Sequence, residues 1–219
     1  MAFPVNFARL APCYNALETL TAGHRLQRAR MHGLDQLEGC RRILSVGEGH
    51  GRFAEACLQR HPAAELTCVE ASPAMARLGM ERTRHFPGRI RWEIADAFAW
   101  DAADHFDAIV TCFFLDCFPA PTLTRGVEHL SRLAARDAVW LVVDFAVPAH
   151  GVARLRAKAV HGLMYAFFRC TVGLPARSLT PHDPLLAQHG FERESRRDFE
   201  WGLVTSEVWR RRAGRIAPG

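Results

Sequence analysis

The sequence predicts an α/β fold: a doubly wound sheet of seven strands, mostly parallel, with a C-terminal antiparallel hairpin and helices on both faces. Three observations carry that prediction. From Arg42 onward, short β-branched or apolar runs alternate with helical patterns of about ten or more residues. The first such run leads straight into a glycine-rich turn, Val46-Gly47-Glu48-Gly49-His50-Gly51. The last two strand-like runs, by contrast, are separated by only a few residues, which suits a hairpin.

Taken in order, a helical stretch from about Ala8 to Leu37 precedes the sheet. Five parallel strands are expected at Arg42 to Val46, Glu65 to Val69, Ile90 to Ile94, Phe106 to Thr111 and Ala138 to Asp144. Between and after them, helices fit Arg52 to Arg60, Pro73 to His85, Pro121 to Ala135 and Val152 to Cys170. Pro73 and Pro121 suit a first helical turn, where the missing N–H has no partner to lose. A short helix from about Asp183 closes at Gly190, and Phe191 to Phe199 and Leu203 to Arg210 form the hairpin around Glu200, Trp201 and Gly202. Arg211 to Gly219 is expected to be a frayed tail. No repeat or linker divides the chain, so residues 1–219 read as one domain, with residues 1–40 as a helical cover and residues 148–181 as a helical lid insert. That insert is too long for a plain connection.

With 49% hydrophobic and 23% charged residues in 219, the chain holds a full core; disorder, collagen-like repeats and a disulfide mini-scaffold are excluded. The longest apolar runs, such as Ala138 to Val143, fall far short of the roughly 20 residues a membrane-spanning helix needs. Met1 to Leu10 has no long apolar core and no cleavage site of small residues, so the expected location is the cytoplasm. The seven cysteines (13, 40, 57, 68, 112, 117 and 170) include no C-x-x-C pair and read as reduced thiols. The formal net charge is +5, yet only one of the 28 basic residues, Lys158, is lysine, which points to compositional bias more than to a nucleic-acid patch.

The chemistry starts at the glycine-rich turn. Glycine lets backbone approach a ligand closely, and the helix behind the turn offers unpaired N–H groups to an anionic or polar ligand. A structural turn or a phosphate loop would also fit that element alone. The next strand ends Leu66-Thr67-Cys68-Val69-Glu70, placing an acid 19 residues after Gly51, where a carboxylate can accept both ribose hydroxyls. Together they predict a nucleoside cofactor at the carboxyl ends of the strands, either NAD or S-adenosylmethionine. NAD is disfavoured because Arg52 stands where G-x-G-x-x-G requires its third glycine. Ile94-Ala95-Asp96-Ala97 adds a carboxylate after the third strand, placed to accept an adenine amino group.

These motifs resemble the class I S-adenosylmethionine-dependent methyltransferases, Rossmann-like enzymes, in the broad group containing the ubiquinone and menaquinone biosynthesis methyltransferases. The likeness runs from about Phe7 to Arg210. It implies that Gly47 and Gly49 pack under the methionine portion, that Glu70 holds the ribose with Ala71 and Met75 in the same motif, and that Asp96 and Ala97 meet the adenine. It also implies that Thr111 approaches the methionine portion from the fourth strand and that Tyr14 covers the cofactor. Two departures stand out: Ser45 occupies the place of a common acid two positions before Gly47, and Glu48 replaces a small residue. Glu48 is expected to supply the missing charge to the ligand's amino group.

Methyl transfer from a sulfonium is an in-line displacement that needs alignment and dryness more than a strong base. Candidate polar groups at the strand ends are Asp116, Asp144 and His150, any of which would serve as a base if the acceptor is a neutral hydroxyl. Phe113, Phe114, Phe118, Met164, Tyr165, Phe167 and Phe168 suggest an apolar pocket for an aromatic or lipophilic small-molecule acceptor, with Arg169 and Arg177 to orient an acidic group on it. Gly151 and Gly173 would hinge the lid. No His or Cys pair has metal-ligand spacing, so no metal is expected. The rival expectations are an RNA or protein methyltransferase, for which Arg210-Arg211-Arg212 is a weak basic rim, and a non-catalytic cofactor-binding or scaffold protein, kept open by Ser45 and Glu48.

Overall fold

The computed structural model describes residues 23–173, 176 and 178–212. The helical stretch expected from Ala8 is therefore seen from α1 (Gly23–Met31) and a 3-10 turn at Leu34–Leu37, while Tyr14, Cys13 and Arg177 lie outside the described residues. The sheet follows: β1 (Arg42–Val46), α2 (Arg52–Arg60), β2 (Glu65–Val69), α3 (Pro73–Thr83), β3 (Ile90–Glu93), β4 (Phe106–Cys112), α4 (Ala120–Leu133) and β5 (Ala134–Phe145). A long helix, α5 (Gly151–Val172), a short one, α6 (Asp183–Gln188), and the strands β6 (Phe191–Phe199) and β7 (Val204–Arg211) complete it.

The seven strands form one sheet in the order β3-β2-β1-β4-β5-β7-β6; β1 to β5 run parallel, and β7 is antiparallel to both of its neighbours. Arg211 is not part of a frayed tail, because it ends β7 opposite Phe191 and its guanidinium donates to Ala134 O at 2.9 Å. The β5 strand begins four residues earlier than expected, its first residues being polar and exposed at Arg136 and Asp137 and so outside an apolar pattern.

Alternation of side chains sorts the core into two layers. Leu44, Val46, Ile109, Trp140 and Val142 pack with Leu123, Val127 and Leu130 of α4 on one face. Ile43, Leu66, Ala108, Val110, Val139 and Leu141 pack with Phe53, Ala54, Cys57 and Leu58 of α2 on the other. A sheet covered on both sides explains the nearly continuous apolar runs of β1, β4 and β5. The free edge β6 carries Glu192, Arg193, Glu194, Arg196, Arg197 and Asp198, all exposed, which blunts edge-to-edge pairing. Among the described residues no helix is long and apolar enough to cross a membrane.

Candidate functional site

Strand order reverses between β1 and β4, and an open α/β sheet leaves a crevice at the carboxyl ends of its strands at such a point. A cavity of about 670 Å³ lies there, lined by Gly47, Glu48, Gly49, Glu70, Ala71, Met75, Asp96, Ala97 and Phe114 among others. Its size suits a nucleoside cofactor together with part of a small acceptor.

Each wall follows from local sequence. Gly47 has φ +65°, and a Cβ there would stand 2.3 Å from Phe114 Cδ2. Gly51 has φ +82° and approaches Gly79 Cα so closely that a Cβ would lie 2.9 Å from it, so this glycine seats α2 on α3 rather than facing a ligand. On the second strand, Glu70 Oε2 accepts from Gly49 N at 2.9 Å and Oε1 from Ser72 N at 2.8 Å. Those two bonds tie the glycine turn to the start of α3, where Ser72 caps the helix by accepting from Met75 N at 3.4 Å and Pro73 follows. Each carboxylate oxygen retains a further lone pair for a hydroxyl donor. Burial raises the Glu70 carboxyl above its ordinary pKa. Asp96 is exposed at the rim; its Oδ1 accepts from Phe98 N at 3.0 Å, which sets the turn that carries Ala97 and Phe98 into the wall.

The two departures at the first motif meet in space. Ser45 Oγ donates to Glu48 Oε2, and Ala54 N donates to Glu48 Oε1 at 2.9 Å. The Glu48 carboxyl thus sits beside the residue that lacks the usual acid, restoring a negative group at the end of β1. Burial pushes its pKa up to about 7, against the hydrogen bonds of Ser45 and Ala54 and the charge of Arg30.

Several expected residues stand elsewhere. Thr111 shares the face of Ile109, is fully buried and accepts from Trp140 Nε1 at 3.1 Å; the core indole needs an acceptor, so the side chain turns from the cavity, and Cys112 and Phe113 line it instead. Asp116 and Asp144 are both buried and do not line the cavity; Asp144 Oδ2 accepts from Asp116 N at 3.2 Å. Burial raises both carboxyls above the ordinary carboxylate range, Asp144 further because the Asp116 charge adds to it. His150 is exposed, preceding the first residue of α5, and is not a cavity residue. Tyr165 is turned into the structure, its hydroxyl donating to Asp116 O at 3.1 Å; Phe168 packs beside it, and Arg169 is exposed on α5. None of the three lines the cavity.

Its aromatic end comes from closer by. Phe98, Phe114 and Phe118 pack mutually at centroid distances of 5.5, 4.7 and 5.0 Å. Phe113, at φ +54°, is a strained non-glycine residue where β4 meets the site, and Arg30 stacks on its ring at 4.9 Å. Arg30, His50, Phe98 and Arg125 line the cavity and were missed from sequence. Only His50, inside the glycine motif, carried a local signal. Cys112 also lines it, its thiol raised by burial and hence not a nucleophile. Outside the cavity lining, His182, Asp183 and Glu207 bring ligand atoms within 4.8 Å of one another, but Arg193 and Arg196 already pair with Glu207 at 3.5 and 3.3 Å, which opposes a cation there.

Residues 43–137 match the family model described as a methyltransferase domain. A demethylmenaquinone methyltransferase of Deinococcus radiodurans is 28% identical over 149 residues, spanning 67% of this chain and 61% of the relative. The sheet superposes on an O-methyltransferase family protein from Burkholderia thailandensis with a TM-score of 0.73 at 13% identity, over 97% of this chain and 65% of that one. Residues 43–137 are thus similar to a methyltransferase domain, and the sheet has the fold of the methyltransferases it superposes on. The N-methyltransferase NodS from Bradyrhizobium japonicum in complex with S-adenosyl-L-homocysteine matches with a TM-score of 0.59 at 15% identity, over 86% of this chain and 84% of that one. The chain spans less than two thirds of the length of the first two relatives.

Proposed function

We propose that the chain is a cytoplasmic S-adenosylmethionine-dependent methyltransferase that methylates oxygen or carbon of a small aromatic or lipophilic acceptor. The observation that carries this is one cavity at the switch point joining the Glu70–Gly49 clamp, Asp96 and a cluster of phenylalanines. The donor set fits the cofactor: two acids facing a glycine-floored cleft suit hydroxyls and an exocyclic amine, and Glu48 suits an ammonium. When bound, S-adenosylmethionine supplies a methyl carbon already activated by a sulfonium.

Residues of the chain do the rest. Glu70 orients the ribose, Ala71 and Met75 pack beside it, and Asp96 with Ala97 receives the adenine. Gly47, Glu48 and Gly49 hold the methionine portion. Phe98, Phe113, Phe114 and Phe118 exclude water and align the acceptor, while Arg30 and Arg125 attract an acidic or phenolic group on it. The Asp116–Asp144 pair positions the wall from behind, tying β5 to the segment after β4. The support comes from the cavity's composition and from relatives whose names are those of quinone and O-methyltransferases.

Calorimetric titration with S-adenosylmethionine, its demethylated product and NADH tests the proposal. Micromolar binding of the first two alone is expected and would justify screening phenols, quinols and lipophilic acids as acceptors. Binding of none of them would overturn the cofactor assignment and favour a scaffold role.

A further inference from the structure

The outer surface of α5 is apolar in a way a solvated helix is not. Val152, Leu155 and Leu163 are 78, 71 and 75% exposed, and Phe167 is 42% exposed. With Ala159, these residues follow helical spacing along one stripe, opposite the side that buries Ala157, His161 and Tyr165. The same helix carries Arg154, Arg156, Lys158 and Arg169, all exposed, and not one carboxylate. Beside it stands Trp201, 79% exposed and held at φ +61° in the turn between β6 and β7; Arg156 lies 5.8 Å from its ring and donates to Glu200 O at 3.1 Å. Arg156 lies within the apolar stripe and Lys158 and Arg169 on one flank of it, and such a mix of exposed apolar side chains, cations and a neighbouring exposed tryptophan is one that water disfavours and an anionic lipid interface satisfies.

We propose that α5 and Trp201 dock this protein onto the surface of an anionic lipid bilayer. Apolar side chains on the stripe enter the boundary between headgroups and acyl chains, and the arginines and Lys158 meet lipid phosphates. Charge decides between this occupant and a second copy of the chain, since two such helices would bring like charges together. Each basic side chain brought to an anionic membrane surface strengthens binding roughly fivefold. The inference does not rest on the proposed methyl transfer, because docking needs neither cofactor nor acceptor.

Vesicle flotation of the full chain, without cofactor, tests it. Retention is expected on vesicles containing phosphatidylglycerol, with little on phosphatidylcholine alone, and high salt should release the protein. Leu155→Glu with Leu163→Glu should lower retention about tenfold or more. Arg156→Gln with Lys158→Gln should weaken it by roughly fivefold per charge on anionic vesicles only. Both variants alter exposed positions, and circular dichroism melting checks that they fold. Equal retention on neutral and anionic vesicles would overturn the proposal. So would absence of retention together with a dimer, seen by sedimentation, that the two glutamates dissociate.

Discussion

The two ends of the cavity are built by different means. At the glycine-rich end, Gly47, Gly49, Glu70 and Asp96 all lie within a few residues of a strand's carboxyl end, and carboxylates accepting from backbone N–H groups hold Gly49, Ser72 and Phe98 in place. At the aromatic end, Phe98, Phe114 and Phe118 converge from two separate loops, and Arg30 and Arg125 arrive from helices on either side of them in sequence. A site made of turns tolerates almost no change at the turn, whereas a site made of packed rings should tolerate conservative exchange of its members.

The sharpest way to break that contrast is Gly47→Ala. It combines an unfavourable left-handed backbone with a collision on Phe114, and should cost about 2 to 5 kcal/mol of stability and abolish cofactor binding. Thermal melting would register a fall of roughly 5 to 15 °C. A variant as stable as the parent would mean that Phe114 swings freely, and the two ends would not be distinct.

Next come Glu70→Ala and Asp96→Ala, each expected to weaken S-adenosylmethionine binding by about 1 to 3 kcal/mol in calorimetry. Glu70→Ala should also lower stability, because it strands the N–H groups of Gly49 and Ser72, while Asp96→Ala at the exposed rim should not. Unchanged affinity in both would sink the motif assignment.

A pH effect follows from Glu48. Its folded pKa of about 7 lies above the ordinary glutamate value, so its ionisation is hindered by the fold: stability from this group is full below the unfolded pKa and declines as pH rises toward 7. Binding of the cofactor's ammonium has the opposite sign, since it needs the carboxylate. Affinity should rise about three- to tenfold between pH 6 and 8, and Glu48→Gln should flatten that rise. A slope that survives the substitution would assign the titration to another group.

The smallest effect is expected from Tyr165→Phe. Losing the hydroxyl's bond to Asp116 O should cost about 1 kcal/mol, or roughly 2 to 4 °C in melting temperature, and leave cofactor affinity unchanged. A fall in cofactor affinity would show that α5 reaches the cofactor after all.

The fold class was legible because each cue is short-range. Strands β1 and β2, helix α2 and strand β6 begin and end at the residues that periodicity and turn chemistry predict. The glycine turn and the acids that line the cavity were legible for the same reason. Thr111 misled because position on a strand specifies a face only once the neighbour is known, and Trp140 on β5 claims its hydroxyl. Tyr165 and Phe168 misled because aromatic content says nothing about which way a helix is rolled.

By itself, then, the sequence determined the order of elements, the glycine turn and the acids after β2 and β3, since each rests on backbone conformations and hydrogen bonds within a few residues. Tertiary structure alone decided that Thr111 turns to Trp140, that Asp116 and Asp144 are buried together rather than facing the cavity, and that α5 turns its apolar stripe outward. Those outcomes depend on which distant side chains compete for the same space and the same hydrogen bonds, and that competition exists only once the sheet has assembled.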